Sequence, residues 1–557
     1  MSSKTKNIIR IAVLFLLLLL PIFYALFTAI DLEYSWLKKA AYLAVVLVFL
    51  LIPALFLKAR TYFIVEGIFN FFFFPIDIAS LYLYRQPTSA AFLENIIRTD
   101  LHEASELLLS VWPVCVTVVA LWILYFTLTA RLDNNYLLGE RARKTLYISI
   151  ASLAIVGFFF MLGFQKYMFP TKSTKLMLID AADALRYKFY KIYPYNLYMD
   201  MIKITETNAQ QRRLQKELSS FRFGITPKDS LPDALYMVVI GETARYDHLG
   251  INGYTRNTTP CLSQRTHLIS FDSIYSQANL TYSSVPLLLT RATAQTRELA
   301  YKEKSLPEAF QEAGFRTAFI SKQTLSSFTG RIMTACDDPF LFPVNIDVDG
   351  NYDIEIVDKL REYETDTSRF VLIHSLGSHF RYEQRYPEEF KRFQPTLGKT
   401  FNYAMVAKEN KDKLVNAYDN SILYTDYFLS ELIDYADSLD IPAVMLFISD
   451  HGESFWDNDN NLSLHGAYVI SEYEYHVPLF IWYSDEYAAL YPDKVAAMQQ
   501  NKTTPVSSDV VFYSMLDLAG IEDIVDSTRS VASPYLLPMD TIWVQLGTGG
   551  IEQMPLR

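Results

Sequence analysis

The chain has 557 residues, 51% of them hydrophobic and 15% aromatic, and a formal net charge of -11. That length has room for more than one domain. The acidic balance argues against a nucleic-acid partner, which calls for a basic face. The first ~165 residues read as membrane-embedded, because a helix needs roughly 20 apolar residues to cross the hydrocarbon core. Five segments qualify in chain order: Ile8–Ile30, Ala40–Leu57, Thr61–Leu83, Leu107–Ala130 and Leu146–Phe164. The third is interrupted by Glu66, Pro75 and Asp77. Its two acids are costly in hydrocarbon and are expected to face protein or a wet cleft. A cleaved signal peptide is the alternative for the first segment. Its apolar run is too long for that, and no small-residue cleavage site follows.

Loop charge sets the expected orientation. Lys4, Lys6 and Arg10 precede the first segment, Lys58 and Arg60 follow the second, and Arg131, Arg141, Arg143 and Lys144 follow the fourth. The other side carries Lys38, Lys39, Arg85 and Arg98 among acidic residues. The positive-inside rule then puts the N-terminus in the cytoplasm. An odd number of crossings delivers everything after Phe164 to the outer side, and a third segment that failed to cross would invert this. Residues 166–225 read as a bridging helix and linker. Tyr187, Tyr190, Tyr193, Tyr195 and Tyr198 lie among Lys188, Lys191 and Lys203, a mixture suited to the headgroup layer. A polar linker follows around Asn208–Ser220.

Residues 226–557 are long enough for one large α/β domain. Short apolar strands are predicted at Leu235–Ile240, Thr317–Ile320, Phe370–Ile373, Val444–Ile448 and Leu479–Tyr483, alternating with helical stretches. That alternation reads as a mainly parallel, doubly wound sheet. Cys115 falls inside an apolar segment, leaving Cys261 and Cys336 in the outer domain. An oxidising compartment permits a disulfide between them, and two separate thiols are the alternative.

Open α/β sheets place their sites beyond the carboxyl ends of the strands. Asp450 and His451 follow Val444–Ile448, with a second His-Gly pair at His465-Gly466, in a chain of only eight histidines. A carboxylate beside an imidazole is a ready pair of metal ligands, and oxygen with nitrogen suits zinc. Glu242 stands just past Leu235–Ile240 and can reach the same crevice. His374 and His379 follow Phe370–Ile373, and either can serve as an acid toward a leaving oxygen. The segment Leu280-Thr281-Tyr282-Ser283-Ser284-Val285-Pro286 offers three aliphatic hydroxyls, Thr281, Ser283 and Ser284, that a metal could activate. Composition alone does not choose among them.

Taken together these motifs resemble those of the phosphoethanolamine transferases that modify lipid A, members of the alkaline phosphatase and sulfatase superfamily. The likeness is carried by Gly241-Glu242-Thr243-Ala244-Arg245, Gly253-Tyr254-Thr255-Arg256 with Thr258-Thr259-Pro260, Gly377-Ser378-His379, Ser449 to Ser454 and Leu464-His465-Gly466. Thr281, five residues before Pro286, matches the family's nucleophile. The resemblance implies an N-terminal five-helix transmembrane domain (1–165) followed by an alkaline-phosphatase-like, sulfatase-type doubly wound catalytic domain in the periplasm of a Gram-negative cell. It implies one zinc ion held by Glu242, Thr281, Asp450 and His451, with His379 and His465 binding the phosphoryl group or acting as acids. Asn95, Thr99 and Glu103 resemble a segment thought to hold the lipid donor. The implied reaction moves phosphoethanolamine from phosphatidylethanolamine onto Thr281, releases diacylglycerol, and passes the group to a lipid A or related glycan phosphate. The enzyme is expected to act as a monomer. Masking a phosphate in this way would blunt the attraction of cationic peptides such as polymyxin. The chain departs from better-known members in its cysteines: none brackets the Thr281 loop, so packing must hold it. A membrane-anchored phosphoglycerol transferase is the alternative. A sulfatase is disfavoured because Ser284-Val285-Pro286-Leu287-Leu288 lacks the arginine of a formylglycine motif, and a non-enzymatic sensor is disfavoured by the full ligand set.

Overall fold

The computed structural model describes residues 2–28, 36–68, 112–168, 220–227, 233–342, 352–363, 368–398, 407–457, 463–466, 470–547 and 550–556, with a few isolated positions between them. The chain divides into two compact units, one formed by Met1–Ile97 with Val111–Thr207 and the other by Arg98–Ser110 with Asn208–Arg557. The junction at Thr207 and Asn208 falls at the start of the stretch read as a polar linker.

The first unit is helical: α1 (Ser3–Thr28), α2 (Trp36–Leu51), α3 (59–68), α4 (Trp112–Ala130) and α5 (Glu140–Met168). Each overlaps one of the five apolar segments. Leu14, Leu18, Ala54, Tyr62, Phe63, Val118, Trp122 and Tyr125 form its core. Buried hydroxyls there find backbone partners: Tyr62 donates to the Leu50 carbonyl at 3.0 Å and Tyr125 to that of Phe63 at 2.8 Å. Glu66 is turned inward at 7% exposure, in line with the expectation that it faces protein; Asp77 lies outside the described residues. Ile8, Leu16, Phe27, Val116 and Ile123 are exposed on the outer faces. Among the described residues, no helix is long and apolar enough to cross a membrane. The segment 168–218 lies almost wholly outside the described residues.

The second unit is built on a seven-stranded sheet. In chain order the strands of this unit are β1 (Leu235–Gly241), β2 (Leu268–Phe271), β3 (Ile274–Tyr275), β4 (Arg316–Ser321), β5 (Asp338–Leu341), β6 (Arg369–His374), β7 (Ala443–Ser449), β8 (Ser454–Phe455), β9 (Ser463–Leu464), β10 (Leu479–Tyr483), β11 (Val506–Ser507), β12 (Thr541–Gln545) and β13 (Ile551–Pro555). The main sheet runs β2-β10-β7-β1-β6-β4-β5. The five strands from β7 to β5 are parallel. Two apolar clusters cover its two faces: Tyr236, Val238 and Ile240 of β1 enter one, Leu235, Met237 and Val239 the other. Burial on both sides is why the central strands read as unbroken apolar runs.

The strand Leu479–Tyr483 forms where expected but runs antiparallel to β7. Direction is set by the connection and leaves no mark on an apolar run. The flanking strands β2 and β5 were not anticipated, because neither is an unbroken buried run: β2 buries only alternate residues, and β5 alternates half-buried with exposed positions. Helix α6 (Thr281–Leu288) opens on Thr281, and α7 (Lys411–Asp437) lays Leu414, Tyr418, Ile422, Phe428 and Leu432 on the sheet. Cys261 and Cys336 are both free thiols, so no disulfide joins them.

Candidate metal centre and nucleophile loop

Register brings the strand ends together. Gly241 of β1 pairs with Ser449 of β7, Ile240 with His374 of β6, and His374 with Ser321 of β4. Whatever follows each strand therefore opens into one crevice. Glu242 follows β1, Asp450 and His451 follow β7, and the Asp450 N–H donates to the Gly241 carbonyl at 3.0 Å to lock the two ends. Glu242, Asp450 and His451 are all buried, and each offers a ligand atom within 4.8 Å of the others.

Each of the three is oriented by its neighbours. Asp450 Oδ1 accepts from the N–H groups of Thr243 (3.1 Å) and His451 (2.8 Å). Its Oδ2 has no hydrogen-bond partner. His451 Nδ1 donates to the Gly452 carbonyl at 2.9 Å, which leaves the Nε2 lone pair facing the cluster. Glu242 accepts from the Thr243 hydroxyl at 2.7 Å and from Gln323 Nε2 at 3.1 Å. Thr243 sits at φ 60, a left-handed conformation costly for a β-branched residue and typical of sites held by their surroundings. Gly377 is required beside them: at φ +50, an added Cβ would lie 2.8 Å from the Glu242 nitrogen.

The Thr281 hydroxyl lies 3.1 Å from Glu242 Oε2 and 3.2 Å from His451 Nε2. Ser284 is instead buried and donates to the Asp450 carbonyl at 2.6 Å. Of the three hydroxyls left open by composition, Thr281 is thus the one seen against the cluster. It begins α6, where a helix presents unpaired N–H groups and a favourable dipole to an anion.

His465 stands over His451, ring centroids 4.1 Å apart, and its Nδ1 is 3.1 Å from Glu453 Oε1. Burial works against its charged form, but Glu453, by charge and hydrogen bond, and Glu242 outweigh it and lift the imidazole to about 9. His379 is pushed the other way, down to about 3, by burial and by Arg385 and His465. His374 is held at about 4 by burial, and neither ring nitrogen has a hydrogen-bond partner. Burial, then the Asp450 charge, raises Glu242 well above the usual carboxylate range. Asn95, Thr99 and Glu103 lie outside the described residues.

Two buried carboxylates, an imidazole with a free lone pair and a hydroxyl make a donor set that fits a divalent cation such as zinc. The partnerless Asp450 Oδ2 is the atom that most needs one. Sequence reasoning missed Gln323, Glu453's hold on His465, and Glu474, which binds Asn279 and Ser454. Gln323 stands two residues past β4, so the strand-end rule that found Glu242 could have found it.

A mixed α/β sheet with ligands converging at its strand ends is the alkaline-phosphatase-like architecture. The sulfatase family profile matches residues 234–521, and the chain belongs to that family. It is 29% identical over 279 residues to the Kdo(2)-lipid A phosphoethanolamine 7''-transferase of Escherichia coli K12, covering 48% of this chain and 47% of that protein. It is 30% identical over 305 residues to the phosphoethanolamine transferase EptA of Salmonella typhimurium, covering 52% and 53%. The matched region thus spans about half the length of these curated relatives. Among solved structures, the integral membrane protein lipooligosaccharide phosphoethanolamine transferase A of Neisseria meningitidis aligns over 92% of this chain and 97% of its own, at TM-score 0.64 and 20% identity. The periplasmic domain of E. coli EptC, solved in complex with Zn, aligns over 60% of this chain and 94% of its own, at TM-score 0.51 and 22% identity. At these identities the structures speak for the fold.

Proposed function

We propose that this protein is a zinc-dependent phosphoethanolamine transferase. It takes the group from phosphatidylethanolamine onto Thr281 and passes it to a phosphate of lipid A or a related glycan. The observation that carries this reading is the Thr281 hydroxyl, 3.1 Å from Glu242 and 3.2 Å from His451. The likeness to a Kdo(2)-lipid A phosphoethanolamine transferase and to the phosphoethanolamine transferase EptA supports it.

Glu242, Asp450, His451 and Thr281 would hold the ion. When bound, zinc lowers the pKa of a coordinated hydroxyl and offsets phosphoryl charge. The residues of the chain do the rest. Thr281 Oγ1 attacks the donor phosphorus while its proton passes toward Glu242 Oε2. The first turn of α6 offers N–H groups to the phosphoryl oxygens. His465, kept protonated by Glu453, donates to the diacylglycerol oxygen as the P–O bond breaks. In the second half an oxygen of the acceptor phosphate attacks the Thr281 adduct. The proton held at Glu242 returns to Thr281, and the acceptor's own proton restores His465. Gln323 Nε2, 3.1 Å from both Glu242 Oε2 and the Ser375 carbonyl, keeps the Glu242 carboxylate oriented through both steps.

The apolar N-terminal segments would anchor the chain in the inner membrane with this domain in the periplasm. Confinement to the membrane plane raises the effective concentration of both lipids. The test is intact-mass spectrometry with peptide mapping after incubation with zinc and phosphatidylethanolamine. A phosphoethanolamine-sized gain on Thr281 is expected, and Thr281→Ala should abolish it without loss of fold. A phosphoglycerol adduct from another donor would move the protein to the sister activity.

A further inference from the structure

Helix α8 (Glu472–Tyr475) is a single turn, yet it carries a carboxylate of 0% exposure, and Glu474 bonds to the segments that carry Thr281, His451 and His465. Glu474 Oε2 accepts from Asn279 Nδ2 at 2.9 Å and from the Gly466 N–H at 3.3 Å. Its Oε1 accepts from Ser454 Oγ at 3.0 Å and from the Ser471 N–H at 3.4 Å. Its main-chain carbonyl accepts from the Gly452 N–H at 2.8 Å. These partners are placed tellingly. Asn279 lies two residues before Thr281, Gly466 follows His465, Ser454 follows Glu453 and Gly452 follows His451.

We propose that Glu474 is a positioning residue that ties the Thr281 loop to the His465-Gly466 turn, fixing the nucleophile relative to the acid where no covalent bridge does so. The proposal rests on the reading of Thr281 as nucleophile. Its chemistry suits the task. Four donors converge on the side chain, and a carboxylate offers two oxygens with about four acceptor positions. The backbone of the same stretch is held by β12: the Gln545 N–H donates to the Gln277 carbonyl at 2.7 Å, and the Asn279 N–H to the Gln545 carbonyl at 3.4 Å. Beyond β12 the chain closes on the same turn, since a Cβ on Gly547 would stand 2.4 Å from the Gly466 carbonyl oxygen. With β12 still in place, loss of Glu474 lets the loop pivot while leaving it attached. A misplacement of about 1 Å is enough to cost on the order of 100-fold in rate.

The chemistry also predicts which variant rescues. In Glu474→Gln the single amide oxygen can keep Asn279 and Gly466, because the Ser454 hydroxyl can reverse and accept from the amide nitrogen; only the long 3.4 Å bond from the Ser471 N–H loses its acceptor. Glu474→Ala loses the tie altogether. The experiment uses the full-length, zinc-loaded protein in detergent and reads three quantities: hydrogen exchange in peptides covering 276–284 and 463–467, the single-turnover rate of adduct formation on Thr281, and zinc content. Glu474→Ala is expected to exchange about tenfold faster in both loops. Its adduct rate should fall on the order of 100-fold at saturating donor, with half-saturation and zinc content unchanged. Glu474→Gln should recover most of both losses. Wild-type exchange in the alanine variant, or a rate loss that glutamine leaves in place, would overturn the proposal. Should Glu474→Ala not fold, Asn279→Ala removes one end of the tie and is read the same way. A wild type that forms no Thr281 adduct sinks the proposed function, and the exchange measurement still decides the tie.

Discussion

Replacing Asp450 by asparagine should separate metal binding from folding. Oδ1 is engaged by two backbone N–H groups, and the asparagine oxygen can keep both. The amide nitrogen then takes the place of Oδ2, the partnerless atom, and turns a ligand into a donor. Without metal the change is expected to help. Two carboxylate charges 4.8 Å apart, the outer limit of the cluster, repel by about 3.5 kcal/mol at an effective dielectric near 20. The two groups stand no farther apart than that, and Glu242 evades part of the repulsion by binding its proton more tightly. With metal the change is expected to harm. A lost charged ligand should cost at least 100-fold in zinc affinity, about 2.7 kcal/mol. The assay is thermal unfolding in chelator and across a zinc titration, with zinc content measured directly. The expected pattern is a chelated variant at least as stable as chelated wild type, with the zinc-dependent rise in Tm largely gone. A variant destabilised in chelator that still gains its full zinc increment would refute the assignment of Asp450 as a ligand.

Three other outcomes are expected. Gly377→Ala should lower both zinc affinity and stability, by at least 1 kcal/mol, since a Cβ there meets the Glu242 backbone at 2.8 Å from a left-handed φ; urea melts with a zinc titration check it, and wild-type values in both would contradict the packing argument. Thr281→Ser should retain the adduct at a reduced rate, because the hydroxyl survives but loses the methyl that limits its rotamers; complete loss of adduct would show that more than the oxygen is needed. Asp426 gives a pH signature. Burial lifts its carboxyl to about 6, against the N–H bonds it accepts from Leu262 and Cys261. The folded state thus holds this proton more tightly than the unfolded chain does. The associated stability is present below the unfolded value near 4 and is lost as pH rises through about 6. Asp426→Asn should flatten unfolding free energy over that window by on the order of 2 kcal/mol, and an unchanged slope in melts at pH 4 to 7 would reject it.

The legible parts of the site share one property. Glu242, Asp450 and His451 each follow an apolar run buried on both faces, so the run announced the strand and the next polar residue announced the crevice. Gln323 obeys the same rule but lacks a charge to draw attention to it. Glu474 was invisible for a different reason. It lies on a one-turn helix amid Glu472, Tyr473 and Tyr475, and only its burial and its partners distinguish it from the half-buried acid two residues before it. The antiparallel direction of β10 and the strands β2 and β5 were hidden because direction and edge position are properties of connections and neighbours.

Local chemistry therefore set the five buried strands read from apolar runs, the order of the motifs and the kind of ligand available, since each depends on residue type and short-range spacing. Tertiary structure decided which of three hydroxyls meets the cluster, which nitrogen of His451 faces it, that Cys261 and Cys336 stay apart, and that Glu474 joins loops distant in the chain. Those outcomes depend on distances between residues far apart in the chain, such as Asn279 and Glu474, 195 positions apart, and packing alone sets such distances.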